Sequence, residues 1–129
     1  MSPTLGPYAP VRRAGPWVIT SGQIGLSTDD SGASALVKGG TVPQLRQALE
    51  NVAAVLRTEG ATMGDVVKTT LYLVDMGEFA AVNEVFAEYF TDRPTRSAVA
   101  VAALPAGARV EVEAWAYVPE GSEPEPLGL

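Results

Sequence analysis

The chain has 129 residues, 47% of them hydrophobic, with no cysteine, no histidine and a net charge of −6. That length supports a core needing neither disulfide nor metal, and the missing residue types exclude thiol catalysis, the usual zinc ligand sets and any Ser-His or Cys-His nucleophile pair. Nine Lys and Arg against fifteen Asp and Glu argue against a nucleic-acid footprint, and no apolar run approaches the ~20 residues of a membrane span, so a single cytoplasmic domain over residues 1–118 is expected.

Val11 to Ala14 and Trp17 to Ile24 read as two strands around the turn signal Gly15-Pro16. In the second, Val18, Thr20 and Gly22 share one face and Trp17, Ile19, Ser21 and Gln23 the other. Ser27 to Gly40, rich in Ser, Asp and Gly, reads as a loop with room for a short strand near Leu36. Thr41-Val42-Pro43-Gln44 matches a capping box, with Gln44 reaching back to the Thr41 backbone. Val42, Leu45, Leu49, Val52 and Leu56 then recur at helical spacing, which predicts an amphipathic helix stopped at Gly60.

Asp65 to Val74 alternates and is β-branched, which predicts a strand with Val67, Thr69, Leu71 and Leu73 on one face and Val66, Lys68, Thr70, Tyr72 and Val74 on the other. Asp75 is placed to cap a second helix whose apolar face is Phe79, Val82, Phe86, Tyr89 and Phe90. Asn83 falls inside that face, and a buried amide needs a partner. Strands over Thr95 to Leu104 and Ala108 to Val118 are joined by the turn Pro105-Ala106-Gly107. The tail from Pro119 to Leu129 is Pro, Glu, Gly and Ser and reads as disordered.

This order predicts an α+β fold, a mixed sheet with two helices packed on one face. The other face would carry Tyr72, Val74, Trp115 and Tyr117 beside Thr70, Glu111 and Glu113. That is too apolar to remain solvated, so it is expected to pack against other subunits, with a site at the junction.

Two stretches concentrate the chemistry. Arg93-Pro94-Thr95-Arg96-Ser97-Ala98-Val99 opens a strand with arginine. In Val110-Glu111-Val112-Glu113-Ala114, the two glutamates share one face and the small apolar residues point to the core. A guanidinium that grips a carboxylate, near a carboxylate that moves a proton, points to a site for a small acid.

With these stretches in hand, the chain resembles the YjgF/RidA family from about Gly6 to Tyr117. The segments that carry the likeness are Gly6-Pro7-Tyr8, Thr20-Ser21-Gly22-Gln23-Ile24, Leu49-Glu50-Asn51-Val52, Asp65-Val66-Val67-Lys68-Thr69-Thr70, Phe79-Ala80-Ala81-Val82-Asn83 and the two stretches above. The resemblance implies a chorismate-mutase-like fold, a homotrimer with three intersubunit clefts, and cofactor-free, metal-free hydrolysis of reactive 2-imino or enamine acids. The substrates implied are 2-iminobutanoate and 2-iminopropanoate, and the products 2-keto acids and ammonia.

It implies that Arg96 binds the substrate carboxylate and that Glu111 positions or activates water. Tyr8 and Ser21 would line the cleft, Gly22 would lie with its backbone beside the ligand, and Asn83 would be a structural support. Many members carry cysteine where this chain has Ala98 in the binding pocket, a departure expected to change pocket shape or reactivity toward oxidants and electrophiles rather than to abolish hydrolysis. Competing readings are a trimeric binder of small carboxylates without turnover, a pathway-specific enzyme on the same scaffold with a larger substrate, and RNA cleavage. The acidic composition and absent histidine weigh against RNA cleavage.

Overall fold

The structure, a computed structural model, describes residues 4–119. The tail expected to be disordered lies, from residue 120 onward, outside the described residues. β1 (Val11–Ala14) and β2 (Trp17–Thr20) form the expected hairpin around Gly15-Pro16. β2 stops at Thr20 rather than at Ile24, because one extra residue interrupts its ladder. Ile19 faces Trp115 and Gln23 faces Val112, so four steps along one strand match three along the other. The Thr20 hydroxyl accepts from the Ala114 N–H at 3.1 Å. Such a bulge re-aims side chains locally, and this one falls at Ser21-Gly22.

The stretch expected as a loop with a short strand near Leu36 has that strand, β4 (Ser34–Leu36), and pairs it with an unexpected one, β3 (Leu26–Thr28), in a small hairpin. The Asn51 side-chain amide donates to the Ile24 and Leu26 carbonyls, each at 3.0 Å, and ties this hairpin to the first helix.

That helix, α1 (Thr41–Arg57), buries Leu45, Ala48, Leu49, Val52, Val55 and Leu56 completely. Each of the Leu and Val side chains is worth ~1.5–3 kcal/mol of apolar burial. The chain then turns at Gly60, and the Ala61 N–H closes on the Leu56 carbonyl at 3.0 Å. The expected capping box at the other end does not form: Gly40 is the N-cap, without a side-chain bond. Both polar groups are claimed by Arg109 instead. Its Nε donates to Thr41 Oγ1 at 2.8 Å, and its backbone N–H donates to Gln44 Oε1 at 2.9 Å. Arg109 Nη2 also donates to Glu78 Oε1 at 3.0 Å, and the Thr41 hydroxyl donates to the same oxygen at 2.6 Å.

These contacts hold the Glu78 carboxyl below its ordinary range, the Thr41 hydrogen bond being the largest cause and Arg109 the next. A carboxylate held low contributes stability above the unfolded carboxylate range and loses it as pH falls through the folded value. Arg109→Met is therefore expected to lower the thermal midpoint at neutral pH, by a loss of roughly 1 kcal/mol at this half-exposed pair. The deficit relative to wild type should shrink below about pH 4. A deficit that stays constant across the acid range would show that Arg109 acts only by packing.

β5 (Val66–Leu73) follows a turn at Met63–Asp65 that carries its own capping box, Thr62 with Asp65. The strand begins with a register shift between Val66 and Lys68, so Val66 is buried and Val67 is 44% exposed, the reverse of strict alternation. Asp75 caps a short turn, Met76–Glu78, accepting from the Gly77 N–H at 2.8 Å, and α2 (Phe79–Tyr89) follows. Val82, Val85 and Phe86 form its buried face. Asn83 is exposed, on the flank of that face rather than inside it, and it does have a hydrogen-bond partner.

β6 (Thr95–Ala100) ends four residues before the expected Leu104, and after a turn at Pro105–Gly107 comes β7 (Val110–Tyr117). These two strands are consecutive in the chain but not neighbours. The sheet order is β1-β2-β7-β5-β6, with β5 between them, parallel to β6 and antiparallel to β7. Both helices pack on one face, giving the mixed α+β, chorismate-mutase-like architecture. The other face carries Trp17 edge-on to Trp115 and Tyr117, with centroids 5.8 and 5.1 Å apart, and Lys68 over Trp115 at 5.2 Å. Val99 and Tyr117 are left 42% and 43% exposed there.

Candidate functional site

The alternation of β7 places Glu111 and Glu113 on the open sheet face, and Val110, Val112 and Ala114 in the core. Glu113 is anchored by Tyr72, whose hydroxyl donates to Oε1 at 2.7 Å. The carboxylate pushes that hydroxyl up to about 12, so it remains a donor. Glu111 has a different environment. Burial pushes its carboxyl above the ordinary range, and the charge of Glu113 adds to the shift. A carboxylate raised in this way is a stronger base near neutrality.

Glu111 lies across the bulge. A Cβ built on Gly22 would come 2.7 Å from Glu111 Cδ and 3.0 Å from its Cγ, and would overlap one carboxylate oxygen. Position 22 lacks a side chain because the Glu111 carboxylate occupies that space. Around it, Tyr8, Gly22, Gln23, Pro105 and Glu111 line a crevice of about 30 Å³. That volume admits water but not the body of an amino-acid-sized ligand. Ser21 does not line the crevice. Its hydroxyl donates to the Ala9 carbonyl at 2.6 Å and its N–H to the Pro10 carbonyl at 2.9 Å, fastening the segment that carries Tyr8.

Gly22→Ala is expected to displace the carboxylate while leaving the core intact. A misplacement of ~1 Å at a reacting group costs about 10²-fold in rate. Steady-state kinetics beside a thermal melt would check this, and a variant as active as wild type would show that the carboxylate position is immaterial.

Arg96 lies elsewhere. Its neighbours across the ladder are Thr69 and, beyond it, Ala114, both fully buried on the helix side. Its guanidinium stacks over Phe86 at 4.8 Å and Phe79 at 5.2 Å, and Nη2 donates to Asn83 Oδ1 at 2.8 Å. Burial lowers its pKa, as expected for a cation partly removed from water. Met76, Phe79, Arg96 and Ala98 line an open cleft of about 440 Å³. Both aromatic rings against the guanidinium come from α2, and Asn83 fixes one of its edges.

The site residues expected from sequence thus fall into two groups. Tyr8, Gly22 and Glu111 meet on one side, while Arg96, Ala98 and Asn83 meet on the other. Glu111 pairs in register with Tyr72, which pairs with Val99 on the open face, whereas Arg96 faces the helices. Arg96 and Glu111 therefore project from opposite faces of the sheet within one chain. Gln23, Pro105, Met76, Phe79 and Phe86 complete the two groups. The aromatic pair was foreshadowed by helical periodicity, but Gln23 enters through the bulge, which strict strand alternation does not reveal.

A family model described as Endoribonuclease L-PSP matches residues 1–118. The 2-iminobutanoate/2-iminopropanoate deaminase of Mus musculus is 43% identical over 113 residues, covering 87% of this chain and 82% of that one. The YjgF gene product of E. coli has the same fold at a TM-score of 0.79 with 38% identity, covering 88% of this chain and 90% of that one. E. coli TdcF, solved with bound serine, matches at 0.79 with 36% identity over 88% and 90%. The segments along the sequence, the sheet order with its two helices, and these matches over nearly nine-tenths of the chain agree, and the chain belongs to the YjgF/RidA family.

Proposed function

We propose that the protein hydrolyses small 2-imino acids, 2-iminopropanoate and 2-iminobutanoate among them, to 2-keto acids and ammonia without a cofactor. It would act as a homotrimer in which the Arg96 side of one copy closes against the Glu111 side of the next. The observation that carries this reading is the division of one acid-binding constellation between opposite faces of one sheet. A cationic cleft of about 440 Å³ lies on one and a water-sized crevice with a raised carboxylate on the other. The apolar open face is what two such copies would bury. The deaminase name of the mouse relative, and the small amino acid bound to TdcF, support a ligand of this size and charge.

In this mechanism Arg96 grips the substrate carboxylate with its fork, held flat by Phe79 and Phe86. Glu111 takes a proton from water as the water oxygen bonds to the imine carbon, and the C=N π electrons move to nitrogen. Glu111 returns that proton to the nitrogen, giving the neutral carbinolamine, and then carries the hydroxyl proton to the same nitrogen. The C–N bond breaks, ammonia leaves, and the C=O of the keto acid forms.

The test is keto-acid formation from freshly generated 2-iminopropanoate and 2-iminobutanoate. An amino-acid oxidase would supply the imine and semicarbazide would compete for it. Wild type is expected to accelerate release above the spontaneous rate, with the gain lost in Arg96→Ala and Glu111→Gln variants that still assemble. Carboxylate binding through Arg96 with no acceleration would instead favour a binder without turnover.

A further inference from the structure

The Arg96 cleft does not end at Ala98. Arg96 also lines a trough of about 540 Å³ along α2, together with Asn83, Phe86, Phe90, Pro94 and Arg93. Among the described residues, no acidic side chain lines either hollow. In a chain with fifteen acidic and nine basic residues, two arginines lining one hollow with no carboxylate among its described lining residues is a marked local reversal of charge. The adjacent acid, Asp92, points elsewhere, its carboxylate lying 3.3 Å from where a Cβ of Gly64 would sit. Glu88, on the same helix, is engaged by Arg46 at 2.7 Å. Arg93 forms no ion pair with a described residue. It also sits at φ 54, a left-handed conformation that glycine or asparagine would adopt with less strain.

We infer that Arg93 is a second anion-binding residue of the same site, and that its substrates include 2-imino acids whose side chain ends in a second carboxylate. This rests on reading the Arg96 cleft as the substrate site. The α-carboxylate would be held by Arg96 and the distal one by Arg93, each by a charge-assisted pair. The intervening methylenes would lie against Phe86 and Phe90. The second group is a carboxylate because the imines arise from amino acids, and the acidic amino acids end in carboxylates. The three-residue step from Arg93 to Arg96 spans at most ~10 Å of extended chain, within the combined reach of two arginine side chains.

The test compares imines generated by an L-aspartate oxidase and an L-glutamate oxidase with those generated from alanine. Wild type, Arg93→Gly and Arg93→Lys would be measured in parallel. Arg93→Gly removes the cation while easing the backbone, so misfolding does not explain a loss. The expected result is that the ratio of kcat/KM for the diacid imine over the monoacid imine falls about tenfold or more in Arg93→Gly, with partial recovery in Arg93→Lys. An unchanged ratio, or wild type that accelerates only the monoacid imine, overturns the inference and leaves the deaminase reading standing.

If wild type accelerates neither imine, the deaminase reading itself has failed. Calorimetric binding of 2-oxoglutarate against pyruvate then decides the role of Arg93. A preference for the diacid that disappears in Arg93→Gly supports it, and equal binding of both removes it.

Discussion

Glu111→Gln is expected to lower kcat by about 10² to 10⁴-fold, the range carried by one positioned acid–base group, with little change in carboxylate affinity. Glutamine keeps the volume beside Gly22 and the hydrogen-bonding capacity of the side chain, so the loss reports proton transfer rather than shape. The pH profile gives the sharper signature. A base must be ionised, so the wild-type rate rises with pH as Glu111 titrates, and burial with the charge of Glu113 places that rise above the ordinary carboxylate range. Glu113→Gln should move the rise downward, because the repelling charge is gone while burial remains. An acid limb that stays in place in Glu113→Gln would mean that another group sets it.

The same shift has an energetic counterpart. A carboxyl whose folded pKa is raised is favourable while protonated, and that advantage is lost as pH rises through the folded value. Glu111→Gln should therefore be more thermally stable than wild type at neutral pH and no more stable in acid. A base held in a costly environment is a common reason that active sites lower stability. Equal melting temperatures at both pH values would show that ionising Glu111 in place has no energetic cost.

Mixing the two inactive variants is expected to restore activity. An Arg96→Ala chain still carries Glu111, and a Glu111→Gln chain still carries Arg96. If each cleft takes Arg96 from one copy and Glu111 from another, equal random mixing leaves about a quarter of the clefts intact. The activity of the mixture should therefore climb from near zero to about a quarter of wild type once chains have exchanged, with native mass spectrometry confirming mixed assemblies. Were the two residues to serve one ligand within one chain, no mixture would recover activity. The ladder register argues for the first outcome, since Arg96 aligns with buried Thr69 and Glu111 with Tyr72 of the opposite face.

Local rules carried a large part of the fold. The helical spacing of Leu45, Leu49, Val52 and Leu56, and the alternation of Val110, Glu111, Val112 and Glu113, each placed an element and its buried face. Where the expectation failed, a distant partner had intervened. Thr41 and Gln44 satisfy a local capping pattern, yet Arg109 lies 68 positions from Thr41 and offers both groups stronger partners. The extra residue at Ser21-Gly22 and the register shift at Val66 to Lys68 belong to strand pairs rather than to strands, so alternation within one segment did not contain them.

The division of the candidate site was hidden for a related reason. Arg96 and Glu111 lie 15 positions apart in the sequence, but β5 inserts between their strands, and strand neighbours are set by contacts distant along the chain. Asn83 was placed in the buried face by helical angle alone. The structure moves it to the exposed flank, where its amide oxygen accepts from Arg96.

The aromatic cluster on the open face also makes the protein its own spectroscopic probe. Both of its tryptophans, Trp17 and Trp115, stand there in edge contact, so their emission responds to whatever covers that face. If copies cover that face as proposed, diluting them until they separate should shift the emission to longer wavelength as water reaches the indoles. In the proposed arrangement the loss of turnover should follow the same concentration curve, since a separation that wets the tryptophans would also part Arg96 from the Glu111 of a second copy.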